Sequence, residues 1–227
     1  HGPVVSDALP GVGRRLTLRS TALDPAQSAL GWLRLNRAKG WNDFVEAMRV
    51  METPPLNVAY ADVDGNIGYW CAGKVPIRAS GKGLVPACGW SGDAEWTGFV
   101  PFEEMPHALN PAQGYVVSCN QPVAPPDYPH WMGGVFINGA RARRVVQVIE
   151  AGGRMSIEDC RALQADVTCL PAADLIARLR RVRSDDPDFR LAIGMLGRWD
   201  GQLHAHSVGA CVYEVVRFRL ARRLLEL

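Results

Sequence analysis

Three short stretches hold residue types that could do chemistry. Asn120 follows the β-rich run Gly114–Cys119 and precedes a proline cluster, Pro122, Pro125, Pro126 and Pro129. A neutral amide at the mouth of a strand can donate N–H to a developing oxyanion without competing for protons; its alternative role is to cap a turn. Cys119 beside it is a conceivable nucleophile, because Cys, His and Asn form one known catalytic set, but an apolar strand interior would raise its thiol pKa and leave it inert. Asp62-Val63-Asp64-Gly65-Asn66 resembles half of a calcium loop, yet it lacks the downstream bidentate Glu and reads as a hairpin turn. His204-Ala205-His206 near Asp200 has metal-ligating types, in what reads as a solvated loop between helices.

These candidates need elements to position them. The runs Leu56–Ala61 and Asn66–Ala72 flank Asp64-Gly65-Asn66, and a Gly between turn-forming residues accepts φ > 0, so the stretch predicts a tight hairpin. Val, Ile, Tyr and Trp with few charges predict burial on both faces of that hairpin. Upstream, alternation predicts strands over 3–6 and 14–22, and Asp24-Pro25 predicts the start of a helix carrying Leu30, Trp32, Leu33 and Leu35 as far as Gly40. A second helix is expected over Trp41–Met51. Residues 73–114 read as a long ordered loop with short strands, anchored by Trp90, Trp96 and Phe99, and Gly114–Asn120 as a buried strand. After Gly139 the pattern turns helical. One helix carries Val145 to Ile149, and a second opens on the capping-box-like Ser156-Ile157-Glu158-Asp159. Two more cover Pro171–Val182 and Pro187–Trp199. In the last, Val208, Val212, Val216, Leu220, Leu224 and Leu227 form one stripe. The fold class is therefore α/β (α+β), with residues 1–138 as sheet and loop and 139–227 as a helical layer.

Composition bounds the function. With 48% hydrophobic and 21% charged residues and a net charge of +2, the chain has an ordinary globular composition. That charge argues against a nucleic-acid or membrane partner, and no run approaches the roughly 18 apolar residues that span a bilayer. All but three of the 25 basic residues are Arg, concentrated after Arg141, and without interleaved aromatics they read as solvated helix faces. The six cysteines form no C-x-x-C and no zinc-like spacing with His.

Read together, Tyr60-Ala61-Asp62-Val63-Asp64-Gly65-Asn66-Ile67-Gly68-Tyr69, the opening His-Gly-Pro-Val, Pro101-Phe102-Glu103-Glu104, Asn110-Pro111-x-x-Gly114-Tyr115, Asp127-Tyr128-Pro129, Gln164-x-Asp166 and Arg198-Trp199-Asp200-Gly201 resemble the penicillin acylase (penicillin amidase) family of N-terminal nucleophile hydrolases. The matches fall in that family's order and run nearly end to end.

The resemblance implies a periplasmic or secreted amidohydrolase, cut autocatalytically into two chains, whose new N-terminal Ser attacks a linear acyl amide with its own α-amine as base. It implies an αββα sandwich, with this chain an internal fragment of the nucleophile-bearing β chain, His1 a fragment edge, and the rest of the precursor, including the α chain, its partner. The fragment alone is expected to be inactive. By position, Asn120 is similar to the family's oxyanion-hole Asn, with Ser118 where another Asn often stands. Arg141 resembles a supporting Arg, Arg143 being the neighbouring choice, and Trp32 and Leu56 fall where acyl-pocket residues lie, core packing being their other reading. No cofactor is expected. The family's structural calcium draws on ligands upstream of this piece, and the carboxylate expected between Pro129 and Arg141 is absent from His130-Trp131-Met132-Gly133. The substrate within the family, a penicillin, an acyl-homoserine lactone or another N-acyl compound, stays open. The alternative from a different class is a non-enzymatic extracellular binding module with propeller-like hairpins, against which the absence of a repeat of about 40 residues counts.

Overall fold

The computed structural model describes residues 1–226, and the chain divides into two compact units, residues 1–137 and 138–227. The first unit is built on the expected hairpin. Strands β1 (Leu56–Ala61) and β2 (Ile67–Ala72) pair antiparallel from Leu56 opposite Ala72 to Ala61 opposite Ile67. A third strand completes the sheet on the far side of β2, and a two-stranded ribbon lies between them in sequence. In chain order the ribbon is β3 (Pro76–Arg78) with β4 (Trp96–Phe99), and the third sheet strand is β5 (His107–Leu109).

The turn owes its shape to one carboxylate. Asp62 Oδ1 accepts from the Asp64 and Asn66 backbone N–H groups at 3.0 and 2.9 Å, while Oδ2 accepts from the Tyr60 hydroxyl at 2.7 Å and the Asn66 amide at 2.9 Å. These donors hold the Asp62 carboxyl below the usual carboxylate range, the Asn66 side chain contributing most. The loop between strands is therefore the five residues Asp62 to Asn66, wider than the tight turn expected, because Asp62 closes it from the side. Asn66 in turn accepts the Asn110 amide at 2.9 Å, and Asn110 Oδ1 accepts the Ile67 N–H at 3.0 Å, which clasps the hairpin to the end of β5.

Helices α1 (Ser28–Leu35) and α2 (Trp41–Arg49) cover one face of this sheet through α2. Phe44, Ala47, Met48 and Met51 recur at helical spacing and are buried against Trp70 and Ala72 of β2. The Phe44 ring stacks on Trp41 at 5.2 Å and tilts against Tyr60 at 5.0 Å. Close approach is written into two glycines. A Cβ on Gly31 would come within 2.6 Å of the Met51 side chain, and one on Gly68 within 2.3 Å of the Trp41 ring. On the other face of β2, Cys71 is buried with Val100 and Met105 and flanked by Tyr69, Val75, Val123 and Met132. Thus β2 is buried on both faces, but β1 is not: Asn57, Ala59 and Ala61 are exposed along its outer side.

Other expectations are corrected. No strand forms over 3–6 or 14–22; Val4 and Thr17 make a single bridge, and Ser6–Ala8 and Thr21–Leu23 are single 3-10 turns. Gly114–Asn120 is not a strand either: the Gly114 N–H turns back to the Pro111 carbonyl, and Gln121 accepts from the Cys119 N–H and donates to the Val117 carbonyl. Asp24-Pro25 stands ahead of α1 and does not cap it; Ser28 Oγ instead accepts from the backbone N–H groups of Glu52 and Thr53. Trp90 is 89% exposed and anchors nothing, whereas Trp96 and Phe99 meet edge to face.

Among the described residues the second unit holds five helices, α3 (Ala140–Gly152), α4 (Ile157–Gln164), α5 (Leu170–Leu179), α6 (Pro187–Arg198) and α7 (Val208–Leu225). Ser156 and Asp159 form the anticipated capping box, and Asp186 caps α6 ahead of Pro187. Its core gathers Ala172, Leu196 and Tyr213, one each from α5, α6 and α7. The expected stripe on α7 is only partly its buried face: Val212 packs against this core and Val216 is half-buried, but Val208, Leu220 and Leu224 are exposed, the fully buried residues are Ala210 and Tyr213, and Leu227 lies outside the described residues.

Candidate active site

In the first unit a cleft of about 390 Å³ opens where the start of β1, the end of β2, the β3–β4 ribbon and the segment around Met132 converge. Leu56, the first residue of β1, lines it, as does Asn57. Asn57 lies opposite Cys71 in the ladder, and its Oδ1 accepts the Tyr69 hydroxyl at 2.5 Å. Burial pushes the Tyr69 phenol and the Cys71 thiol up, so both remain protonated near neutrality. Cys71 is consequently a wall and not a nucleophile. Val75, Leu84, Val123, Met132 and Phe136 add apolar surface, and Arg19, Lys74, Arg78 and Lys82 add positive charge. Sequence reading missed these lining residues because they come from an aperiodic stretch; the only signal was that two of the chain's three lysines fall in it.

Asn120 is exposed and sits at φ 65°, in the left-handed region that Asn tolerates better than most residues. Its carbonyl accepts the Ile137 N–H at 2.9 Å, so the backbone here is fixed at a turn, not at the end of a strand. Beside it, Tyr69, Ala108, Val117 and Gln121 line a smaller cavity of about 180 Å³. Val123 borders both spaces. Trp32 lies on α1, 47% exposed, and is not part of either lining. The structure thus brings Leu56 to a cleft and leaves Trp32 outside it.

The segments that frame this region are tied by their own motif residues. Glu103 receives Arg49 at 2.6 Å, with the guanidinium 4.2 Å from the Phe102 ring. The Tyr128 hydroxyl donates to the Glu104 carbonyl, and His130 Nε2 lies 2.5 Å from the Glu104 carboxylate. These contacts fold the proline-rich segment back onto residues 102–105. Among the described residues, no three His, Cys, Asp or Glu side chains gather as a metal site.

In the second unit, Arg141 is exposed in the first turn of α3, and Arg143 donates its backbone N–H to Gly139. One turn along this helix, Arg144 binds Asp166 through Nε at 2.9 Å and Nη2 at 2.6 Å, and Asp166 also accepts the Thr168 N–H at 2.8 Å. Thr168 then bridges to Gln202, just beyond the Trp199-Asp200-Gly201 turn. The Arg144 donors, followed by the Thr168 N–H, hold the Asp166 carboxyl down at about 2. Its folded pKa being depressed, Asp166 adds stability at all pH values above its unfolded value of about 3.9, and this is lost as pH falls through about 2. Discounted for the one-third exposed guanidinium, the contribution is on the order of 1–2 kcal/mol. Asp166→Asn is expected to lower the urea midpoint at about pH 7 accordingly and to match the parent below about pH 2. An equal midpoint at neutral pH would show the pair to be energetically idle.

Comparison with known proteins gives a consistent set of likenesses. The family model described as penicillin amidase matches residues 1–227. Penicillin acylase 2 proenzyme of Pseudomonas sp. (strain SE83) is 31% identical over 227 residues, covering 98% of this chain and 29% of the relative. Acyl-homoserine lactone acylase QuiP of Pseudomonas aeruginosa is 28% identical, over 99% of this chain and 29% of its own length. Among solved structures, a thermostable penicillin G acylase from Alcaligenes faecalis superposes with a TM-score of 0.61 at 30% identity, covering 78% of this chain and 32% of that one. The chain therefore spans under a third of the length of these relatives.

Proposed function

Because this chain belongs to the penicillin amidase family, we propose that the complete protein hydrolyses a linear acyl amide through a covalent acyl-enzyme, and that these residues form part of its nucleophile-bearing chain. The observation that carries this reading is the family match from residue 1 to residue 227, joined by relatives named as acylases. In the proposed reaction an N-terminal Ser outside this chain attacks the amide carbonyl while its own α-amine takes the hydroxyl proton. The tetrahedral intermediate collapses by breaking the C–N bond, the proton passing to the leaving amine, and water then cleaves the ester by the same route. Such chemistry needs a nucleophile, a base and an oxyanion donor, and calls for no cofactor.

Asn120 is assigned the oxyanion donor. Its position at a fixed, left-handed turn supports this, since the backbone conformation is one the surroundings must hold in place. Arg141 is assigned a supporting role at the start of α3. Leu56 is assigned to the acyl pocket on the strength of the cleft it lines; Trp32, which lies on α1 outside that cleft, is assigned an acyl contact by family position alone. Maturation from a precursor and assembly with its remainder, including an α chain, are part of the proposal, supported by the proenzyme name of one relative; autocatalytic cleavage and a periplasmic or secreted location are proposed from the family resemblance alone.

Acyl preference tests the pocket. Removing methylenes from an apolar pocket shifts discrimination between acyl groups by roughly tenfold or more. Leu56→Ala in the complete enzyme should therefore change the ratio of kcat/KM between short and long acyl anilides by about that factor, and Trp32→Ala should do likewise. Equal losses for all acyl groups would return either residue to a packing role. Absence of turnover of any acyl anilide by the complete, processed protein would remove the acylase reading itself.

A further inference from the structure

Between Asn120 and Ile137 the chain makes a closed excursion. Its neck is the hydrogen bond from the Ile137 N–H to the Asn120 carbonyl at 2.9 Å, and its course is stiffened by Pro122, Pro125, Pro126 and Pro129, whose fixed φ removes freedom from an irregular segment. A loop of this kind is held by what its own side chains touch. Val123 and Met132 pack on the apolar cluster of Cys71, Val100 and Met105. Apolar contact is non-directional, so it fixes the depth of the loop better than its register.

Register comes from Glu104. Its backbone carbonyl accepts the Tyr128 hydroxyl, and its carboxylate lies 2.5 Å from His130 Nε2, so two side chains of the loop grip one residue at two points. That residue is itself anchored: Phe102 stacks on Trp70 at 4.5 Å, Glu103 takes Arg49 at 2.6 Å, and Met105 is buried. With the Glu104 side chain 56% exposed, the His130 pair adds little to stability. What it supplies is direction. The contacts run from the α2–β2 core through Glu104, Tyr128 and His130 to the loop, and through the neck to Asn120. Because Asn120 stands at a left-handed turn with φ 65°, its side chain points where the backbone there is held. A reacting group misplaced by about 1 Å costs on the order of 10²-fold in rate.

We propose that Tyr128 and His130 are positioning residues for the Asn120 amide: by fixing the loop on Glu104 they set, through the Ile137 N–H, the direction in which that amide is presented. The inference rests on Asn120 as the oxyanion donor; the coupling of the grip to the neck does not. Kinetics of the complete enzyme, each variant first shown by mass to carry a free N-terminal Ser, test it. Tyr128→Phe keeps the ring and deletes the hydroxyl. It should lower kcat about tenfold, part of the loss expected for removing the donor outright, with KM changed less than about twofold and the urea midpoint unmoved. His130→Ala should do the same, and His130→Gln, which keeps a donor for the Glu104 carboxylate, should restore most of kcat. In an Asn120→Gly background neither Tyr128→Phe nor His130→Ala should lower kcat further, because the group they position is gone.

Hydrogen exchange reads the coupling without turnover and needs no maturation, so it decides for a variant that stays unprocessed. The Ile137 N–H should exchange roughly tenfold faster in Tyr128→Phe than in the parent. Parent-like kcat in both single variants, losses that add in full to that of Asn120→Gly, or unchanged exchange at Ile137 would overturn the proposal. If Asn120→Gly loses activity while Tyr128→Phe and His130→Ala do not, this inference falls alone. If Asn120→Gly keeps the parent's kcat, the oxyanion assignment falls first and takes this inference with it.

Discussion

Asn120→Gly in the complete, processed enzyme should lower kcat by about 10²–10³, equivalent to roughly 2.7–4 kcal/mol of lost transition-state stabilisation, with a much smaller change in KM. Glycine is the informative replacement because the backbone here has a φ of 65°. Gly adopts that conformation without strain, so it keeps the turn and the Ile137 N–H bond to the 120 carbonyl while deleting only the side-chain amide. Asn120→Ala adds a left-handed penalty of roughly 1 kcal/mol, and any stability lost beyond the Gly variant reports the backbone. Maturation could draw on the same donor, so mass spectrometry must first show a free N-terminal Ser in each variant. A processed Asn120→Gly enzyme with kcat within about threefold of the parent, far short of an oxyanion donor's loss, would leave Asn120 as a turn residue.

The second large effect is on stability. Phe44→Ala should cost about 3–5 kcal/mol, the range for deleting a fully buried ring. Phe44 is 1% exposed, stacks on Trp41, meets Tyr60 and belongs to the cluster that joins α2 to β2. Because Ala47, Met48 and Trp70 are also buried there, the void cannot fill from solvent-facing side chains. The reading is a lower denaturant midpoint with an unchanged slope, and Phe44→Leu should lose markedly less. A loss under about 1 kcal/mol for Phe44→Ala would mean that the α2–β2 layer is not a cooperative part of the fold.

Much of the architecture was legible because its signals are local. The helical period in Phe44, Ala47, Met48 and Met51, the β-rich runs around Asp62–Asn66, and the Ser156 capping box each state their structure within a few residues. The errors came where tertiary contacts decide. Gly114–Asn120 has the composition of a strand, but no partner strand claims its N–H groups, and Gln121 satisfies part of the run instead. The α7 stripe holds only in part, because Val212 packs against the core but the large Tyr213 takes the fully buried position beside Leu196 and Trp199. As for the site, Leu56 could be picked out by resemblance, but its cleft could not, since its walls come from residues between Arg19 and Phe136 that share no periodicity. The motif residues that made the family recognisable turn out largely to be ties: Asp62 to Asn66, Asn66 to Asn110, Tyr128 to Glu104, Asp166 to Arg144.

The way the β2–β5 ladder is closed has a consequence for how this protein can vary. Asn66 and Asn110 are 44 apart in sequence and close one end of the ladder; the chain between the strands, including the β3–β4 ribbon, leaves after Ala72 and re-enters at His107, at a neck at the other end where the Cys71 N–H donates to the Pro106 carbonyl at 2.8 Å. Once a neck is closed, lengthening the excursion costs little, since doubling a flexible loop adds only about 0.6 kcal/mol of closure entropy. The Gly-rich tip between Arg78 and Trp96 therefore behaves as an interchangeable cartridge. Insertions or exchanges there can redraw one wall of the cleft, Lys82 and Leu84 included, while the hairpin register and the α2–β2 core are inherited unchanged.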